Sequence, residues 1–96
     1  MKKKMYISLP ISGWPLHLVK QQAKDYAAIW SDEYDVITPF DVNPDSKSFD
    51  YAHYMGRDIE ALLRCECIYM APGWVQSKGC NIEYQVAKIC GLEIFG

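Results

Sequence analysis

The chain has 96 residues, half of them apolar and seven of them tyrosine, and a formal charge of −2. That length points to one domain spanning residues 1–96 with a small core. The charge gives no electrostatic footprint for nucleic acid, and no segment approaches the ~20 apolar residues of a membrane span. Lys2-Lys3-Lys4 is too short a basic run for a nucleic-acid or membrane patch, and Met1 leads almost directly into a strand without a signal-peptide pattern. A cytoplasmic protein is expected.

Met5 to Leu9 (MYISL) reads as the first strand, and Pro10, Gly13 and Pro15 break it. A helix from about Pro15 follows, with Leu16, Val19, Ala23, Tyr26, Ala27 and Trp30 recurring at helical spacing. Pro15 suits a first helical turn, where its missing N–H costs nothing. Tyr34 to Thr38 is the second strand, closed by Pro39, and Phe40 to Ser48 is read as a loop. A second helix begins near Phe49 or Asp50 and turns Met55, Ile59, Leu62 and Leu63 inward. Cys67 to Ala71 is the third strand. The third helix, Ser77 to Cys90, faces Ile82, Val86, Ile89 and Cys90 inward and stops at Gly91. Leu92 to Phe95 is the fourth strand.

Strands and helices alternate throughout, which predicts a parallel sheet with helices on both faces. Ligands of such sheets bind beyond the carboxyl ends of the strands. The loops there are Pro10 to Trp14, Pro39 to Ser48 and Pro72 to Lys78, so the site is expected where they meet. The four cysteines form no C-x-x-C pair, and His17 and His53 are not at zinc spacing. They read as small buried thiols in a reducing compartment, with no metal and no cofactor implied.

Two acids lack the basic neighbour that surface acids on helices often have. Glu83 has Gly79, Cys80, Val86 and Ala87 at helical spacing, and Asp58 has Tyr54, Met55, Ala61 and Leu62. By spacing alone Glu83 reads as a charge at a helix N-terminus, Asp58 as a solvated aspartate, and Tyr6 as a core tyrosine.

Four motifs stand in order along the chain: YISLPISG from Tyr6, RDIEALL from Arg57, CIYMAPGW from Cys67 and SKGCNIEYQVA from Ser77. Together they resemble the nucleoside 2-deoxyribosyltransferase-like superfamily, closest to a branch of small bacterial and phage proteins. The resemblance covers nearly the whole chain. It implies a flavodoxin-like three-layer sandwich with a mostly parallel sheet of about four strands. It also implies that Glu83 is a nucleophile attacking the anomeric carbon, that Asp58 engages the base and that Tyr6 places the nucleophile. The chemistry suits these types, because a carboxylate can stabilise and capture an oxocarbenium-like centre and an acid can serve the leaving base.

Six positions before the glutamate, transferases of the superfamily tend to carry an aspartate that reads the sugar, and nucleotide hydrolases a serine that binds phosphate. Here the residue is Ser77, which equally suits a plain N-cap. Gly79 would let a ligand approach the backbone, and the amides opening this helix suit an anion. Asn81 in the same motif and Pro10, Ser12, Asp41 and Trp74 in the loops complete the candidate substrate-binding set. Leu9 replaces a common glycine of the family, and Ser12 replaces a basic residue of some nucleotide hydrolases.

Two functions are open: cleavage of a nucleoside or nucleotide N-glycosidic bond, by hydrolysis or deoxyribosyl transfer, and non-enzymatic nucleotide binding. Glu83, Asp58 and Tyr6 meeting at a cleft favours the first, and Glu83 in bulk solvent the second. Trp14, Trp30, Trp74 and the tyrosines offer apolar surface for association, and the resemblance points the same way, so a homo-oligomer, most simply a dimer, is expected.

Overall fold

The computed structural model describes residues 1–43 and 50–96. Its strands are β1 (Lys3–Ser8), β2 (Tyr34–Ile37), β3 (Cys67–Met70) and β4 (Glu93–Phe95). Its α-helices are α1 (Leu16–Trp30), α2 (Pro39–Val42), α3 (Tyr51–Leu63) and α4 (Lys78–Ile89), and a short 3₁₀ turn spans Trp74–Gln76. The strands form one sheet in the order β2-β1-β3-β4, and every pairing is parallel. The protein is thus α/β with a flavodoxin-like sheet, as the alternation of elements predicts.

Strand β1 is central, and its alternating side chains seed two cores. Met5 and Ile7 pack on one face with Val19 and Ala23 of α1. Tyr6 points to the other face and packs with Leu62 of α3, Ile68 and Met70 of β3, and Cys80 and Ala87 of α4. Helix α1 therefore covers one face while α3 and α4 cover the other. Outside the first core, Trp30 contacts the rings of Tyr34, Tyr69 and Phe95 at 5.2–5.8 Å.

The chain leaves α4 through Gly91, whose φ of 76° lies in the left-handed region that glycine enters at least cost. The Leu92 amide then reaches back 2.9 Å to the Ala87 carbonyl, the closing bond of a Schellman turn.

Three details differ from the sequence reading. First, the loop predicted from Phe40 contains α2. Thr38 caps it, accepting from the Asp41 amide at 3.4 Å while Asp41 Oδ2 accepts from the Thr38 amide at 2.9 Å. The remaining loop positions up to Ser48, and Phe49 as a helix start, lie outside the described residues, and Asp50 caps α3. Second, Leu63 is 52 % exposed and not part of the inner stripe of α3, which buries Asp58 and Leu62. Third, α4 is turned relative to the predicted stripe. It buries Cys80, Glu83 and Ala87, leaving Ile89 81 % exposed and Cys90 on the surface. The turn follows from the partners that β1 offers Glu83. Among the described residues, no helix is long and apolar enough to cross a membrane.

Candidate functional site

Successive odd or even residues of a strand share a face, so Tyr6 and Ser8 of β1 point the same way. Both meet Glu83. The Tyr6 hydroxyl donates to Glu83 Oε2 at 2.7 Å, and Ser8 Oγ donates to Oε1 at 2.7 Å. Tyr6 and Ser8 are fully buried and Glu83 is 4 % exposed. Burial pushes the Glu83 carboxyl above its usual range, and the two hydroxyl bonds pull it back. Burial, then the negative charge of Glu83, pushes the Tyr6 phenol well above its ordinary value, so Tyr6 stays a donor.

Asp58 is 7 % exposed, not the solvated aspartate of the spacing reading. Asn43 Nδ2, just past α2, donates to its Oδ1 at 2.9 Å. Burial, and then the charge of Glu83, pushes the Asp58 carboxyl up to about 7, against the opposing Asn43 bond and the charge of Arg57. The two acids therefore differ in their surroundings. Among the described residues, Glu83 accepts two side-chain hydrogen bonds and Asp58 accepts one.

Asp58 and Glu83 open onto a cleft of about 280 Å³ at the carboxyl ends of the strands. Apolar walls come from Leu9, Ile11, Leu16, Phe40 and Met55, with Tyr51 and Tyr54 beside them. Ser12, Ser77 and Gly79 also line it. Ser77 Oγ caps α4, accepting from the Cys80 amide at 3.3 Å. A Cβ on Gly79 would stand 3.4 Å from both Met55 Sδ and the Tyr51 hydroxyl, so the bare backbone widens the cleft there.

The other four predicted binding residues do not line the cleft. Asp41 is the capping acid of α2. Asn81 Nδ2 donates to the carbonyls of Trp74, Val75 and Ser77 at 2.7–3.3 Å, fastening the 3₁₀ turn to α4. Trp74 stacks on Tyr84 at 4.8 Å, and Pro10 packs beside Gly73. These positions are taken up by holding the loops in place.

Sequence reasoning missed Ser8, Asn43 and Lys20. Ser8 carried a usable signal, since it stands two residues after Tyr6 on the same strand. Asn43 and Lys20 carried none, because Asn43 reaches Asp58 only through the short helix α2, and Lys20 reads as one more exposed position of α1. Among the described residues, no group of three His, Cys, Asp or Glu side chains forms a metal-sized cluster.

A family profile described as domain of unknown function DUF4406 matches residues 3–96. Among solved structures, a 2-desoxiribosyltransferase from Leishmania mexicana matches with a TM-score of 0.70 at 18% identity. The match covers 96% of this chain and 61% of that chain, so this chain spans less than two thirds of that protein's length. At such identity the likeness is one of fold, and it agrees with the superfamily that the motifs resemble. No match was found among curated proteins.

Proposed function

The chain belongs to the DUF4406 family, and on this fold we propose that it cleaves the N-glycosidic bond of a nucleoside or nucleoside 5′-monophosphate, with Glu83 as nucleophile. The observation that carries this reading is the buried carboxylate held at both oxygens by Tyr6 and Ser8 on the cleft floor. A helix-terminus charge needs no such clamp, and Glu83 does not stand in the bulk solvent that would favour a binding module.

The two hydroxyl bonds compensate part of the desolvation and so favour the ionised form that attack requires. One carboxylate oxygen bonds to the anomeric carbon as the C–N bond breaks, and the electron pair of that bond leaves with the base. Asp58 supplies the base with a proton or a hydrogen bond. Its value of about 7 keeps it partly protonated near neutrality, and Asn43 donates to Oδ1, so among the described residues Oδ2 is left to carry the proton. Water or a second base then takes the sugar from Glu83, giving hydrolysis or transfer. Two carboxyl groups with environments this different suit the acid and nucleophile roles.

Ser77 supports the 5′-monophosphate form of the substrate. Its hydroxyl caps α4 and lines the cleft at the same time. The adjoining Lys78 is outside the cleft lining but stands 5.7 Å from the ring centroid of Tyr51, a cleft residue.

The test is incubation with a panel of nucleosides and 5′-monophosphates, following free base by chromatography. The protein should release base from at least one member, and Glu83→Gln should abolish that release while circular dichroism shows an unchanged fold. Asp58→Asn should lose less, because an amide still hydrogen-bonds the base without acting as an acid. Unchanged turnover in the Glu83 variant would overturn the mechanism.

A further inference from the structure

The acids lie deep in the cleft, and one wall carries a cation they do not use. Lys20 of α1 lines the cleft. Its ammonium stands 5.9 Å from the ring centroid of Phe40, another wall residue. Among the described residues no carboxylate lies within ion-pair distance of it. The Phe40 ring holds the ammonium by a cation–π contact and provides no hydrogen-bond acceptor for its three N–H groups.

Phe40 and Asn43 stand at either side of the last turn of α2, and Asn43 bonds Asp58. Helix α2 therefore links Lys20 of α1, through Phe40 and Asn43, to Asp58 of α3 along the cleft lining, and α4 brings Ser77 and Glu83 to the same cleft. Under the proposed function, on which this inference rests, the sugar lies at Glu83 and the departing base at Asp58. A planar base extending from Asp58 along the Phe40 wall brings its far edge to Lys20.

We propose that Lys20 selects bases whose far edge carries a carbonyl oxygen, the 4-oxo group of a pyrimidine or the 6-oxo group of a purine, over their amino counterparts. An ammonium only donates hydrogen bonds, so it pairs with a carbonyl and opposes an amino group. The preference grows along the reaction. As the C–N bond breaks, its electron pair passes to the base, and an oxo base spreads that charge onto its carbonyl oxygen. The apolar walls lower the local dielectric and strengthen the attraction of a fixed cation for that oxygen.

Matched pairs isolate the effect: uridine against cytidine and inosine against adenosine, each as nucleoside and 5′-monophosphate. Binding is measured by titration calorimetry in the Glu83→Gln background, where no bond breaks, and base release is measured with Glu83 present. Each set is repeated with Lys20→Met, which keeps the apolar stem. The oxo member of each pair should bind and react at least tenfold better, and Lys20→Met should bring the ratio close to one. Equal affinities within the pairs, or a preference that survives Lys20→Met, overturn the proposal even if base release stands. An oxo preference that depends on Lys20 without any base release upholds it and overturns the glycosidase reading instead. No binding by any member overturns both.

Discussion

Glu83 sits in an unusual position for a carboxylate: it is buried, and among the described residues it is held by two neutral hydroxyls with no cation in ion-pair contact. Removing either donor should therefore show as a protonation effect before it shows as unfolding. Under the proposed function, Tyr6→Phe and Ser8→Ala should each raise the Glu83 pKa and move the acid limb of the pH–rate profile upward, narrowing the profile from its acid side. A limb that stays in place would mean the hydroxyls do not govern ionisation. If Asp58 serves the leaving base as an acid, it sets the opposite limb, and activity should decline as pH rises through about 7. Glu83→Gln removes a charge that raises Asp58, so the Asp58 pKa should fall in that variant, as read by carbon NMR. The same shift is a statement about stability. The folded value of about 7 lies above the ordinary 3.8, so between these limits the folded state keeps a proton that the unfolded chain has released. That contribution is fully present below the unfolded value and is lost as pH rises through the folded one. Melting temperature should thus fall between roughly pH 4 and pH 8, and fall less in Asp58→Asn.

Among the elements, α4 depends most on how its first turn is fastened. Asn81 anchors the 3₁₀ turn through three carbonyls, and Ser77 caps the helix. Asn81→Ala should cost about 1–2 kcal/mol in denaturant unfolding, although it lies outside the cleft lining. Ser77→Ala should cost about 0.5–2 kcal/mol and also weaken 5′-monophosphates more than the matching nucleosides. Equal losses on both substrate forms would leave Ser77 a cap alone. The extent of α4 was legible from Ser77 to Gly91, but its rotation was not. Apolar periodicity pointed to Ile82 and Ile89, whereas the buried line runs through Glu83, a residue that hydropathy assigns to solvent. Helix α2 has its signature in the sequence, since Thr38 and Asp41 form a capping box around Pro39, but a proline after a β-branched strand equally marks that strand's end.

At the scale of the molecule, strand–helix alternation was enough to specify a parallel sheet. The strand order β2-β1-β3-β4 was not written in any single element, because an apolar strand does not name its neighbours. Outward-facing Ile29, Leu63, Val75 and Ile89, with Trp14 at 63 % exposure, keep the expectation of a homodimer. Light scattering at assay concentration should give twice the chain mass, and a monomer would count against it. The two bonds to Glu83 join residues 77 and 75 positions apart. Contacts of such long range form late, because the loop they close is costly until much of the sheet has assembled. Strand β1 therefore waits for α4 before the carboxylate finds its hydroxyls. Any intermediate in which α4 is undocked leaves Glu83 without its two hydroxyls, so under the proposed function recovery of activity during refolding should follow the slowest structural phase and never precede it.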